Sequence, residues 1–420
     1  MAVKDRIFNL FSSLRHRNFR VYLVGQSISL IGTSIQNTAV GWLLWRLTQS
    51  TSSLGWLVFC SQIPFAVLVT GAGVLADHFD RRRLLLFMQF LGLAQAAVLT
   101  LLAWFNVITP RDILILSVFS GIISAIGLPA RQTLIPALLD GNDNLGNAIG
   151  LDSNVINLTR LLGPIFAGWL VARSGEGYCF LINSVSFLAP IVALMRIRLP
   201  PRSEHCVRVD FWSHWKEGFS YAYGHHAIRE MFEMLIIAIM VNSPGITLMP
   251  AVVQALHGGP ALLGTLMAAA SFGSIIGGFA MGSTRIKGAE EIHRLVFWIA
   301  ATVPILTILF SLTRSIPVVM CLAVIIGFSF TLLAVASNTY IQLMVPDVKR
   351  GRVMSLLTWS LLGLPPVGCL LAGYIAERIG VFPTIRLAGC LGVAAVLLVG
   401  LGSRRVALRT KMDSLANPHA

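Results

Sequence analysis

The sequence predicts an all-α membrane protein whose twelve transmembrane helices form two parallel repeats of six. Three observations lead there. Apolar residues make up 55% of the 420-residue chain, charged residues only 12%, and the mean hydropathy is +0.77. A soluble domain typically carries about 25% charged residues, so a soluble multi-domain reading is excluded. Apolar runs of about 20 residues, enough to cross a hydrocarbon core of roughly 30 Å, recur along the whole chain. Finally, a Gly-rich segment in the first half of the chain returns in the second half.

Span by span, the apolar runs fall at 21–44, 54–76, 84–107, 112–131, 148–171 and 178–197, then at 231–254, 261–283, 292–312, 316–343, 353–376 and 383–403. The first run is too long for the apolar core of a signal peptide and reads as a retained span. Twelve spans place both termini on one side of the membrane. Basic residues choose that side. The N-terminus, with Lys4, Arg6, Arg15, Arg17 and Arg20, shares its side with loops that bring the total to 24 basic residues, against six on the other. Both termini are therefore expected in the cytoplasm, and the membrane is expected to be a bacterial inner membrane. The net charge of +14 follows from those loops. No aromatic-basic platform accompanies it, so nucleic acid is not an expected partner.

The repeat is explicit. Gly163-Pro164, Gly168, Arg173 and Gly175 match Gly368, Gly373, Arg378 and Gly380 at one constant offset, and Gly146 and Gly351 keep it too. Gly55 and Gly73 in span two are spaced like Gly264 and Gly282 in span eight. An even-numbered repeat gives halves related by an axis along the membrane normal. The expected organisation is a first bundle over 1–198, a cytoplasmic linker over 199–229, a second bundle over 230–403 and a cytoplasmic tail over 404–420. Within the linker, Phe211, Trp212, Trp215, Phe219 and Ala222 fall on one helical face, the pattern of a helix lying in the headgroup layer.

The six cysteines are scattered without a CxxC pair, and His225 and His226 are adjacent rather than at helical ligand spacing. No metal site and no cofactor are expected. HExxH, GxSxG and P-loop motifs are absent, which argues against an enzyme and against a self-contained ATP-driven pump.

Several motifs resemble those of the major facilitator superfamily, and of its enterobactin-exporter and macrolide-efflux branch in particular. They are Gly73, Asp77, Asp80 and Arg81-Arg82-Arg83 between spans two and three, Leu128-Pro129-Ala130-Arg131 at the end of span four, Asn157 through Pro164 in span five, and Val345-Pro346-Asp347 with Arg350-Gly351-Arg352 before span eleven. The resemblance covers nearly the whole chain. It implies the major facilitator fold and a secondary transporter, acting as a monomer on a small-molecule substrate with protons as the coupling ion. The superfamily loop usually has Gly where this chain has Asp80, and the matching loop of the second half, Gly282 to Lys287, lacks the acid. Gating chemistry is then concentrated in the first half. Asp77 is expected to dock on the start of span eleven at Gly351 and Arg352, with Arg81, Arg82, Arg83 and Arg131 completing a latch. Gly163, Pro164 and Gly168 form a partial antiporter pattern in span five.

Polar groups inside spans indicate the rest of the site. Gln36, Asn37, Gln62, Asn157, Arg160, Asn242, Asn338, Gln342 and Trp359 are the cavity candidates, though each could equally bond a neighbouring helix. Arg160, in mid-span, needs a partner or an anionic cargo. Asp152 and Glu233 are the proton-coupling candidates, Glu233 preferred to Glu230 as the deeper of the two. So few acids in the spans argue against a dedicated polycation pump. The function expected is export of an amphipathic siderophore or drug-like molecule by alternating access with proton antiport. A lysophospholipid flippase or an importer of the same fold is the alternative.

Overall fold

A computed structural model describes residues 12–78, 80–139, 144–197, 211–283 and 288–416, with side chains described in all of these except 69–78, 211–215 and 403–416. The described residues are almost entirely helical. Eleven helices are long and apolar enough to cross a membrane. The remaining expected span forms the 32-residue helix Arg17–Thr48, about 48 Å long at 1.5 Å per residue. It falls short of the others in hydropathy because Gln26, Ser29, Thr33, Gln36 and Asn37 interrupt it.

Helix ends have local causes. Span three, Arg81–Trp104, starts at Asp80, whose side chain accepts from the Arg83 backbone N–H. Span four, Pro110–Ala137, starts at a capping box in which Thr109 and Asp112 bond each other's backbone N–H. Proline breaks spans six and eleven. Span six is Glu176–Ser186 followed by Leu188–Arg196, because Pro190 offers no N–H to the Ser186 carbonyl. Span eleven is Asp347–Gly363 followed by Pro365–Ile379, with Pro365 and Pro366 at the break. The repeat appears in the backbone itself. Gly175 and Gly380 end spans five and eleven with φ of 85° and 89°, a conformation that a side chain would strain.

Contacts divide the chain into two compact units. Met1–Arg208 goes with Pro250–Ser271, and Val209–Met249 goes with Phe272–Ala420. The first unit has one core around Phe19, Tyr22, Leu134, Leu138 and Leu194 and another around Leu43, Leu99, Ile113 and Phe180. In the second unit, Met234, Ala300, Val303 and Leu333 form one core, and Leu235, Ile341, Val353 and Leu357 the other. Corresponding glycines let equivalent helices approach. In the first unit Gly163 of span five lies against Ser34 of span one. In the second, Gly368 of span eleven lies against Ser243 of span seven. Large apolar side chains such as Phe279, Trp298 and Leu398 point outward, as a hydrocarbon environment requires.

Within the first unit, span five also meets the start of span eight. Gly168 faces the backbone of Pro260, Ala261 and Gly264, and Gly264 faces the carbonyl of Pro164. Nearby, the Trp45 indole N–H donates to the Gln254 side chain.

Candidate functional site

In the first unit a charged pair is buried where spans four and five meet. Arg131 Nη2 lies 2.5 Å from Asp152 Oδ1, and both residues are 8% exposed. Tyr22 of span one is buried in the field of the two charges. The sequence pointed to Arg131 for a gate and to Asp152 for proton coupling. The two are buried and paired, and the pairing across two helices carried no sequence signal. Guanidinium as a side-chain type keeps its charge across the accessible pH range, unlike imidazole.

The basic triplet caps helix ends. Arg82 donates from Nε to the Leu194 carbonyl at 2.7 Å and from Nη2 to the Met195 carbonyl at 2.9 Å. Those carbonyls belong to the last turn of span six, which has no intrahelical donors left for them. Arg81 Nη1 donates to the Thr133 carbonyl at 2.9 Å, and Arg83 is exposed. The expected gating residues Gly73 and Asp77 lie on the helix Thr51–His78, but their side chains are outside the described residues.

Deeper in the first unit a polar network joins spans one, three and six. Gln36 Nε2 donates to Gln95 Oε1 at 3.1 Å, and Asn183 Nδ2 donates to Gln36 Oε1 at 2.8 Å. Gln95 continues to the Leu116 carbonyl of span four. Gln36 is therefore buried between helices, whereas Asn37, its neighbour among the cavity candidates, is exposed.

Span five presents an exposed polar face in mid-helix. Ser153, Asn154, Asn157 and Arg160 are all exposed, spaced so that they share one side. Pro164 lies four residues beyond Arg160 and cannot donate to its carbonyl. One point of the helix thus offers a guanidinium donor and a freed carbonyl acceptor. Gln62, on span two, is half-buried.

In the second unit Asn242, Asn338 and Trp359 are half-buried, and Gln342 is exposed. Gln342 Nε2 donates to Asn338 Oδ1 at 2.6 Å, one turn away on span ten. Arg352 pairs with Glu217 of the linker helix Phe211–Gly224. Gly218 of that helix sits against the Arg352 backbone, and Gly351 is exposed. The face used against the protein is Gly218 and Ala222. Phe219, expected on the same face as Ala222, is exposed and stacks on Tyr223 with ring centroids 5.4 Å apart.

Among the described residues of the second unit the buried acid is Glu230, 5% exposed. Its carboxylate lies 3.2 Å from His293 Nε2 of span nine and 3.8 Å from His226 Nδ1, one turn earlier on span seven. Glu233, preferred in the sequence, is half-buried and faces Arg229 at 3.5 Å. Depth along the chain favoured Glu233, but burial depends on which side of the helix meets span nine. The His226–Glu230 spacing of four was the one signal that could have found this cluster. Among the described residues no group of three or more His, Cys, Asp or Glu side chains is arranged to hold a metal ion.

The profile of a family described as transmembrane secretion effector matches residues 9–418. The staphyloferrin A transporter of Staphylococcus aureus is 24% identical over 391 residues, covering 90% of this chain and 94% of its own. The multidrug efflux pump Tap of Mycobacterium bovis is 24% identical, with 91% and 93% covered. Macrolide efflux protein A of Streptococcus pyogenes is 22% identical, with 90% and 94% covered. Among solved structures, a bacterial homologue of the human lysosomal transporter Spinster shares the fold, with a TM-score of 0.70 at 14% identity, covering 93% of this chain and 97% of that one.

Proposed function

Because the chain belongs to the transmembrane secretion effector family of the major facilitator superfamily, we propose that this multi-pass transporter exports an amphipathic siderophore or drug-like molecule by alternating access, in exchange for protons. The protein is a transporter and not an enzyme. The observation that carries the export reading furthest is the polar face of span five. In hydrocarbon such a face must meet protein, water or cargo. Arg160, at the end of that face, has the charge and the fork geometry to hold an anionic or oxygen-rich group. The carbonyl freed by Pro164 supplies an acceptor beside it. In the first unit Asn37 and Asn157 add neutral polar groups suited to an amphipathic molecule, and in the second unit Asn242, Asn338, Gln342 and Trp359 are groups of the same kind.

The excess of basic residues on the side of the termini supports a cytoplasmic location for both, in a bacterial inner membrane. The loop from Gly73 to Arg83 is read as the cytoplasmic latch, with Asp77 as its acid. The chain works as a monomer in contact with membrane lipid, without nucleic acid or cofactor.

The test uses inverted membrane vesicles holding the protein, an imposed pH gradient and radiolabelled erythromycin or a catechol siderophore as probe. Gradient-dependent accumulation supports export. Movement of labelled lysophospholipid alone transfers the reading to a flippase. Asp77→Asn should abolish accumulation while leaving membrane insertion intact, and normal accumulation by that variant removes the latch.

A further inference from the structure

We infer that Glu230, clasped between His226 and His293, is the site at which the second unit binds and releases the coupling proton. The inference deepens the proton-antiport reading above and rests on it.

Among the described residues of the second unit, Glu230 is the only buried carboxylate. An acid in that position is costly unless it is paired or protonated. Its partners are imidazoles, the side chains whose charge ordinarily changes near neutral pH. His293 brings span nine to the acid, and its ring lies 5.9 Å from the Tyr340 ring of span ten. A cavity of about 300 Å³, lined by His226, Arg229, Glu230, Glu233, Leu398 and Gly402 among others, adjoins the carboxylate. It is large enough to carry water to the acid.

The groups that face Glu230 can be named element by element. Span seven supplies His226, together with Arg229 and Glu233, which face each other. Span nine supplies His293, with Glu290 one turn before it in the same field. Span ten supplies Tyr340. Among the described side chains of span twelve, Leu398, Val399 and Gly402 line the cavity. Arg229 faces a carboxylate of its own, Glu233, whereas the two imidazoles lie against Glu230 itself.

Two protonation states follow. With a proton on Glu230, the neutral carboxyl donates its O–H to His293 Nε2 and joins span seven to span nine. When that proton passes to water in the cavity, the carboxyl O–H bond breaks and a new O–H bond forms on the water, and the carboxylate left behind is stable only if it is wetted or meets a charged partner. The deprotonated state therefore favours opening of the cavity and the protonated state favours closure, which is the differential stability that coupling requires.

The test takes the full-length protein in proteoliposomes. Infrared difference spectra over a pH titration should show a buried carboxyl band that Glu230→Gln removes. A band unchanged in that variant overturns the inference whatever the cargo proves to be. With erythromycin as probe, Glu230→Gln should lose gradient-driven accumulation by about tenfold or more yet keep exchange at equal pH. Glu230→Asp should restore the gradient response, and His293→Gln should shift its pH profile. A gradient response in Glu230→Gln equal to that of the wild type overturns the proton site and leaves the antiport reading standing. A wild type without any gradient response overturns the antiport reading itself.

Discussion

Among the described residues the first half buries two carboxylates, Asp152 and Glu176, each beside an arginine, and the second buries one, Glu230, beside two histidines. Asp152 meets the Arg131 guanidinium. Glu230 meets the imidazoles of His293 and His226, the side-chain type whose charge ordinarily changes near neutral pH. Asp152 and Glu230 do not correspond in the repeat, since Leu357 matches Asp152 and Gly25 matches Glu230 at the offset that aligns the glycines. What the halves share is backbone-level. Gly175 and Gly380 turn the chain with the same positive φ, and Gly163 and Gly368 seat the same pairs of helices. The repeat constrains where backbones must approach and turn, while charge is distributed by the separate tasks of each half.

The largest expected effect breaks the pair of Arg131 and Asp152. Arg131→Ala leaves Asp152 buried and uncompensated, and should destabilise the purified protein by about 3–5 kcal/mol, read from thermal unfolding in detergent. The double variant Arg131→Met with Asp152→Leu should recover most of the loss. A neutral single variant would erase the distinction between an arginine-paired and a histidine-paired acid. Next come the matched glycines. Gly163→Val and Gly368→Val should each cost about 1–3 kcal/mol through overpacking against Ser34 and Ser243, and unequal losses would show that the two seats are not equivalent. The polar network is particular to the first half. Asn183→Leu leaves the Gln36 carbonyl without its donor and should cost about 1–3 kcal/mol, seen as earlier unfolding of the first unit in limited proteolysis. The smallest effect is at a helix end. Arg82→Met removes two donors from the end of span six and should cost about 1 kcal/mol. Faster amide exchange at the C-terminal end of Leu188–Arg196 is the measurement.

The fold was legible because the bilayer writes it in hydropathy. Span boundaries differ from the helix ends by a few residues, since hydropathy marks only the immersed part. Span four, expected at 112–131, runs Pro110–Ala137 because Thr109 and Asp112 cap its start and the helix continues past Arg131. The turn glycines were legible as well, since few other residues take their φ. The site was less so. Arg131 and Asp152 were each singled out, but their bond spans two helices. Glu230 was passed over for Glu233 because the rank by depth ignores the helix face, and because His293 joins the cluster from another span. Phe219 was expected to share a face with Ala222, yet Gly218 proved to be the residue against the protein, where only a small one lets the linker helix approach the Arg352 backbone.

The contact between span five and the start of span eight is built from Pro164 and Gly168 on one side and Pro260, Ala261 and Gly264 on the other. Glycine, alanine and proline have no rotamers to lose. Closing such a seam orders no side chains, and parting it frees none, so conformational entropy barely enters the balance. In lipid the hydrophobic effect adds little as well, and close van der Waals fit is what holds small-residue helices together. A seam of this kind can open and reseat many times with no rotamer search in either direction.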